Sequence, residues 1–373
     1  MSNTLSFPGF IDVHVHFRDP GMPEAETTAS GLRAAARGGF AAVVTMPNTT
    51  PACDTPEAIR YQLSAAGDVA GAGQDAESLP VLLVSACITK ARAGEELADL
   101  EALAEAGAAF FTDDGSYVAS DKLMEEAMRR AAKLGLCVCD HAMDPKVLAG
   151  GVIRDCELAR SLDLPVISAD TEVAAIKRDI SICRVTGCKL HIQHISTAEG
   201  VSLVREAQKE GLPVTAEATP HHLAFSCDEI AEDDANWKMA PPLGNNEDRC
   251  ELRRAVKDGA LMFATDHAPH PAARKTCGFL KAANGIIGLE AAVPVTWQVM
   301  VEECGMSPEA WAKAWGQMPQ AILSPLALAR LKGLRRTVVE VGEKRAVDIS
   351  AFASLSRNCP YDKREYSCWP KRT

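Results

Sequence analysis

Asp12-Val13-His14-Val15-His16 sets two imidazoles two residues apart, directly after the short run Pro8-Gly9-Phe10-Ile11. In a strand, side chains two apart share a face, so His14 and His16 are expected to point together into a barrel while Val13 and Val15 face outward. Two imidazoles on one face suit a shared metal ion; a pair of buried, hydrogen-bonded histidines is the alternative. Phe110-Phe111-Thr112-Asp113-Asp114-Gly115 runs a buried segment into two carboxylates. Carboxylates are costly to bury unpaired, which points to a nearby cation, with an Asp-Gly turn as the simpler reading. Cys137-Val138-Cys139-Asp140-His141 and His191-Ile192-Gln193-His194-Ile195-Ser196 each bring a histidine to the end of a strand. His191 and His194 are three apart and cannot point the same way. His194 lies nearer the catalytic end, and His191 is expected to pack or to support a ligand by hydrogen bonding. Ala264-Thr265-Asp266-His267-Ala268-Pro269-His270 closes a further strand with a carboxylate and two histidines. A carboxylate beside a metal-activated hydroxide can take its proton and return it to a leaving nitrogen, so Asp266 is the candidate general acid/base; a capping or salt-bridged Asp is the alternative. His221 and His222 are adjacent and are expected to serve local structure.

These residues need a scaffold that gathers strand ends. Short apolar runs alternate with segments of helical composition along the chain, the pattern of repeated strand and crossover-helix units. The expected strands are Phe10–His16, Ala41–Met46, Pro80–Cys87, Ala108–Asp113, Leu136–His141, Lys189–Ile195, Pro213–Ala218 and Leu261–Asp266. The expected helices include Thr28–Arg37, Glu57–Ala66, Glu95–Ala106, Asp121–Leu134, Thr171–Val185, Ala198–Lys209 and Glu247–Lys257. A doubly wound open sheet uses the same alternation, but nearly every strand here ends in His, Asp, Asn or Ser, and active sites of eight-stranded barrels form at those ends. The expected fold is α/β, a (β/α)8 TIM barrel over residues 1–330. Residues 331–373 are expected to form an irregular C-terminal extension, with a strand candidate at Val338–Val341 and a turn at Asn358–Pro360.

Composition narrows the function. Of 373 residues 47% are hydrophobic and 24% charged, ample for a buried core, and the net charge of −11 argues against a nucleic-acid partner. The 13 cysteines are scattered without paired C-x-x-C spacing, so they are expected to be reduced and the protein cytoplasmic. No window approaches a membrane span and the first ten residues lack the features of a signal peptide.

Together the motifs resemble the amidohydrolase superfamily and, within it, the longer bacterial dihydroorotases. The resemblance spans roughly Pro8 to Pro325 and is carried by the run from Pro8 to Gly21, Met46-Pro47-Asn48-Thr49, Thr112-Asp113-Asp114-Gly115 and Asp266-His267-Ala268-Pro269-His270. It implies that His14 and His16 hold one zinc and His141 and His194 a second, or that a single zinc is bound. Asp114 would bridge the two in place of the carboxylated lysine of many relatives, and Asp266 would ligate the first. Arg18, Asn48 and His270 would grip a substrate carboxylate, Arg18 through its planar fork. The implied reaction is the reversible cyclisation of N-carbamoyl-L-aspartate to L-dihydroorotate in pyrimidine biosynthesis, through hydroxide generated on the metals. The alternatives are another cyclic amidohydrolase, such as an allantoinase or hydantoinase, or a catalytically impaired barrel that partners aspartate transcarbamoylase; a homodimer is expected by analogy. Three departures stand out. Ala240-Pro241-Pro242-Leu243-Gly244 replaces an Asn-Pro-Pro-Leu-Arg segment, Pro271-Ala272-Ala273-Arg274-Lys275 replaces a more acidic loop, and the flanking strands are too few for a full β-sandwich satellite.

Overall fold

The computed structural model describes residues 3–71 and 79–371. The first strand, β1 (Asn3–Phe7), lies outside the barrel, and the staves begin with β2 (Phe10–Val15), β3 (Phe40–Thr45) and β4 (Val81–Val84), which pair in parallel. A second parallel set is β5 (Cys137–Asp140), β6 (Lys189–Ile192), β7 (Val214–Ala218) and β8 (Met262–Phe263). An extended run around Phe111 joins the two. Ala109 N donates to Val84 O, Phe111 N donates to Cys137 O, and Phe111 bridges Ala86 on one side and Val138 on the other. The ring closes where Val15 bridges His267 and His16 N donates to His267 O at 2.8 Å. The eight staves are those expected from sequence, and the fold is the closed barrel rather than the open sheet.

Helices Thr28–Arg37, Asp121–Leu134 and Ala198–Lys209 have the bounds expected, because each starts at a Thr or Ser whose side chain accepts from a backbone N–H of the first turn. The helix expected from Glu95 starts instead at Leu100, capped by Asp99, since residues 97 and 98 are spent pairing with Thr89 and Ile88. The staves expected over Ala108–Asp113 and Leu261–Asp266 are shorter than predicted. Their last residues leave the ladder, Asp266 with a φ of 50°, and carry carboxylates to the barrel mouth.

One expectation about facing is corrected. The register of β2 on β3 shifts between Asp12 and Val15, so the alternation breaks there. Val15 packs in the outer layer with the helices, but Val13 joins the interior cluster with Ile11, Val44, Phe110 and Cys139. The Asp12 carboxylate sits beside this irregularity, accepting from His14 N, Thr265 N and Thr265 Oγ1. Ile322, Leu323 and Ala327 belong to the same interior cluster as Val13, so the barrel is a packed core below its polar mouth.

The chain from residue 331 onward contributes two strands, β9 (Thr337–Ala346) and β10 (Glu365–Pro370), which form an antiparallel sheet in the order β1-β9-β10. Among the described residues this is the one antiparallel sheet, and it lies outside the barrel. Between its two strands the chain returns to the barrel mouth, where Ser354 and Asn358 are buried. All 13 cysteines are free thiols, and no described helix is long and apolar enough to cross a membrane.

Candidate active site

The ends of β2, β5, β6 and β8 and the loop after Phe111 deliver six side chains to one centre. Asp114 is its pivot. Its Oδ1 lies 3.3 Å from His14 Nε2, 3.6 Å from His141 Nδ1 and 3.7 Å from His194 Nε2, and its Oδ2 lies 3.5 Å from His16 Nε2. Asp266 Oδ1 is 3.0 Å from His16 Nε2 and 3.4 Å from His14 Nε2. The Nδ1 of His141 and the Nε2 of His194 are 2.8 Å apart. Asp113 turns elsewhere, accepting from Ile88 N and Thr89 N at 2.9 and 3.1 Å. Backbone strain accompanies the convergence: His194 and Asp266 both sit at positive φ, 33° and 50°, a conformation unfavourable for residues with a side chain.

The donor set fits a metal. Ligands of a zinc ion at about 2.1 Å are separated by about 3.4 Å, and the nitrogen–oxygen distances around Asp114 and Asp266 lie near that value. His14 Nε2 and Asp114 Oδ1 are buried without a hydrogen-bond partner in the protein, so their lone pairs are left for a cation. His14 with His16 and Asp266, and His14 with Asp114 and His194, each form a buried group able to hold an ion. Charge points the same way. Burial opposes ionisation of Asp114 and Asp266, yet the surrounding histidines, His14 first among them, hold both carboxyls well below the usual range. Burial also opposes a charged His14, but Asp114, Glu217 and Asp266 outweigh it and hold its pKa well above the ordinary value. Positive charge at the centre stabilises these buried carboxylates, a role that His14 fills here and that a bound cation would take over.

A second layer orients the first. Glu217 accepts from His14 Nδ1 at 2.7 Å, from His191 Nε2 at 2.9 Å and from His194 N at 3.2 Å. Asn48 accepts from His16 Nδ1 at 2.8 Å and donates to Asp114 Oδ2 at 3.2 Å. The Nδ1 protons of His14 and His16 are thereby drawn away from the centre, leaving Nε2 of each ring free to ligate.

Above the centre lies a cavity of about 510 Å³ lined by Arg18, Asn48, Arg92, Tyr117, Ala240, Asn284 and Gly285 among others. Burial lowers the pKa of Arg18 only to about 10, so its guanidinium is charged at neutral pH. His270 lies behind the wall: its Nε2 donates to Asn284 O at 2.7 Å and its buried Nδ1 has no partner. Burial and then Arg18 push its pKa down to about 3, so the ring is neutral. His221 and His222 are buried beside the centre without joining it; His222 Nε2 donates to Pro241 O at 3.1 Å.

A family model described as dihydro-orotase-like matches residues 4–200. The dihydroorotase of Bacillus caldolyticus is 40% identical over 373 residues, covering 99% of this chain and 85% of that protein. That of Listeria innocua serovar 6a is 37% identical over 382 residues, with the same coverage. The chain belongs to the dihydro-orotase-like family. Among solved structures, the L-hydantoinase (dihydropyrimidinase) of Arthrobacter aurescens superposes with a TM-score of 0.82 at 23% identity, over 98% of this chain and 83% of that one. A D-hydantoinase structure gives 0.78 at 20% identity, covering 99% and 83%. At these identities the hydantoinases speak for the fold alone.

Within this dihydro-orotase-like site, sequence reasoning missed Glu217, Arg92 and Asn358. Glu217 had a signal, since a carboxylate inside the otherwise apolar and small-residue strand Val214–Ala218 is costly to bury unless it is bonded to something. Arg92 had none: it enters the cavity from a loop where its φ is 57°, and its Nη2 donates to Asp114 O at 2.6 Å and to Ser116 Oγ at 3.0 Å.

Proposed function

We propose that this dihydro-orotase-like chain is a dihydroorotase, reversibly closing N-carbamoyl-L-aspartate to L-dihydroorotate in pyrimidine biosynthesis. His14, His16, Asp114, His141, His194 and Asp266 would hold two zinc ions, with Asp114 shared between them. The observation that carries this reading is the position of Asp266, 3.0 Å from His16 Nε2, on the rim of a cavity that also presents Arg18 and Asn48.

Bound zinc would supply the acidification of a water and the polarisation of the amide carbonyl under attack. Asp266 moves the proton. In the hydrolytic direction its carboxylate takes a proton from the attacking water and delivers it to the ring nitrogen as the carbon–nitrogen bond breaks, releasing N-carbamoyl-aspartate. In the biosynthetic direction it removes that proton as the nitrogen closes on the carboxyl carbon and returns it to the departing carboxyl oxygen, whose carbon–oxygen bond breaks to release water. A carboxyl held far below its ordinary pKa starts as the base this requires. Arg18 and Asn48, which line the cavity, hold the substrate's remaining carboxylate, while His270 acts from behind the wall through its bond to Asn284 O.

The test is turnover of dihydroorotate, allantoin and hydantoin by purified protein, before and after chelation and zinc restoration. Dihydroorotate alone is expected to react, with about two zinc equivalents per chain. Turnover of allantoin or hydantoin without dihydroorotate would overturn the assignment in favour of another cyclic amidohydrolase. Ala240 favours a second reading, an impaired barrel that binds aspartate transcarbamoylase, because it lines the cavity where the resemblance expects an amide. A folded, metal-free and inert chain that co-elutes with aspartate transcarbamoylase would establish it.

A further inference from the structure

We infer that Asn358, from the returning C-terminal segment, is a positioning residue for the carboxylate-binding half of the cavity. Its side chain is 4% exposed and every polar group on it is used. Nδ2 donates to Ala268 O and to Gly285 O, both at 3.0 Å, and Oδ1 accepts from His270 N at 3.1 Å. Its backbone carbonyl accepts from Ile287 N at 2.9 Å. A primary amide supplies two donors and an acceptor from one short planar group; a carboxylate of the same shape can only accept, and an alkyl group can do neither.

The placement of these bonds gives them a function. Ala268 and His270, both tied to Asn358, flank Pro269, and Pro269 O accepts from Arg18 Nε at 3.3 Å. Asn358 therefore fixes the carbonyl on which the Arg18 guanidinium is seated. It also joins that strip to the second one, Asn284–Gly285, which lines the cavity. The two strips touch closely: a Cβ on Gly285, whose φ is 120°, would come within 2.6 Å of Ala268 Cβ. Lys275 braces the second strip from the other side, its Nζ donating to Gly285 O and Ala283 O at 2.9 Å and to Lys238 O at 3.1 Å. Asn358 bonds to none of the six residues around the metal centre, so its influence falls on substrate binding rather than on the metals.

The inference rests on the reading of Arg18 as the carboxylate fork, and the test separates the two. Asn358→Asp keeps the shape but removes both donors, and Asn358→Ser, measured alongside, introduces no charge. Each is expected to raise KM for dihydroorotate about tenfold, with kcat within about threefold of the parent and metal content unchanged. In an Arg18→Ala background, Asn358→Asp should add less than about twofold, because the group it positions is gone. Ser356→Ala, which loosens the same segment by removing a 2.7 Å bond to Ala25 O, should leave KM within about twofold. An unchanged KM, an equal effect in both backgrounds, or an equal effect from Ser356→Ala overturns the inference. A parent that does not turn over dihydroorotate defeats the activity reading instead. Amide exchange over residues 266–289 then decides the bracing by itself, faster exchange in Asn358→Asp supporting it and unchanged exchange ending it.

Discussion

Asp266 Oδ1 lies 3.0 Å from His16 Nε2, although 250 residues of chain separate them. The contact exists because the first and last staves of the barrel are neighbours, locked by the bond from His16 N to His267 O. A positive φ at Asp266 then turns its carboxylate onto the histidines rather than along the strand.

Asp266→Asn should therefore abolish catalysis without unfolding the chain. Dihydroorotate turnover is expected to fall by at least about a hundredfold, with an unchanged circular dichroism spectrum. Retention of the full rate by Asp266→Ala would show that another group moves the proton.

Glu217 touches no substrate-facing surface, yet its substitution should weaken metal binding. Glu217→Gln leaves the ring of His14 less firmly oriented and is expected to cost about 10- to 100-fold in zinc affinity, read by competition with a chromophoric chelator. Burial opposes its ionisation, but His14 and then His191 lower its pKa from 4.5 to about 2. A depressed carboxyl stabilises the fold above its unfolded pKa and loses that contribution as pH falls through the folded one. The stability gap between metal-free parent and Glu217→Gln should accordingly be constant above about pH 5 and close between pH 4.5 and 2; a gap that widens on acidification would contradict the assignment.

Metal removal should destabilise as well as inactivate. Zinc that binds only the folded chain stabilises it by about 4 kcal/mol at a thousandfold excess over its dissociation constant. Calorimetry before and after chelation is expected to show a lower Tm that zinc restores. Equal Tm values with and without metal would argue against a site built around cations.

The two departures in Ala240-Pro241-Pro242-Leu243-Gly244 should behave oppositely when reversed. Ala240 lines the open cavity, so Ala240→Asn has room for its amide and is expected to lower KM by about three- to tenfold, the worth of one hydrogen bond. Gly244 has no such room: a Cβ there would lie 2.6 Å from Asp248 Cβ and 2.8 Å from Ser196 O. Gly244→Arg is expected to lower Tm by several degrees, and an unchanged Tm would show that the backbone yields.

The staves and the three helices that begin at a capping Thr or Ser were legible because their signals are local: apolar runs of strand length, and a side-chain oxygen before a helical segment. The facing of Val13 was misread because strict alternation fails at the shift between Asp12 and Val15, which depends on how β2 meets β3. Where the staves over Ala108–Asp113 and Leu261–Asp266 stop was likewise set by the mouth they feed and not by their own composition.

Residue type and spacing marked the imidazoles and carboxylates able to ligate an ion, since a His-x-His pair and a strand ending in Asp declare their chemistry within a few residues, while the choice of Asp114 over Asp113 came from the family resemblance. Only the tertiary structure decided what supports them. Glu217 reaches His14 across 203 residues of chain, and Asn358 reaches Ala268 across 90, with no local pattern at either end. The reason is physical: a ligand's chemistry belongs to its own side chain, whereas its orientation is a hydrogen bond to a neighbour that only barrel closure and the returning C-terminal segment bring near.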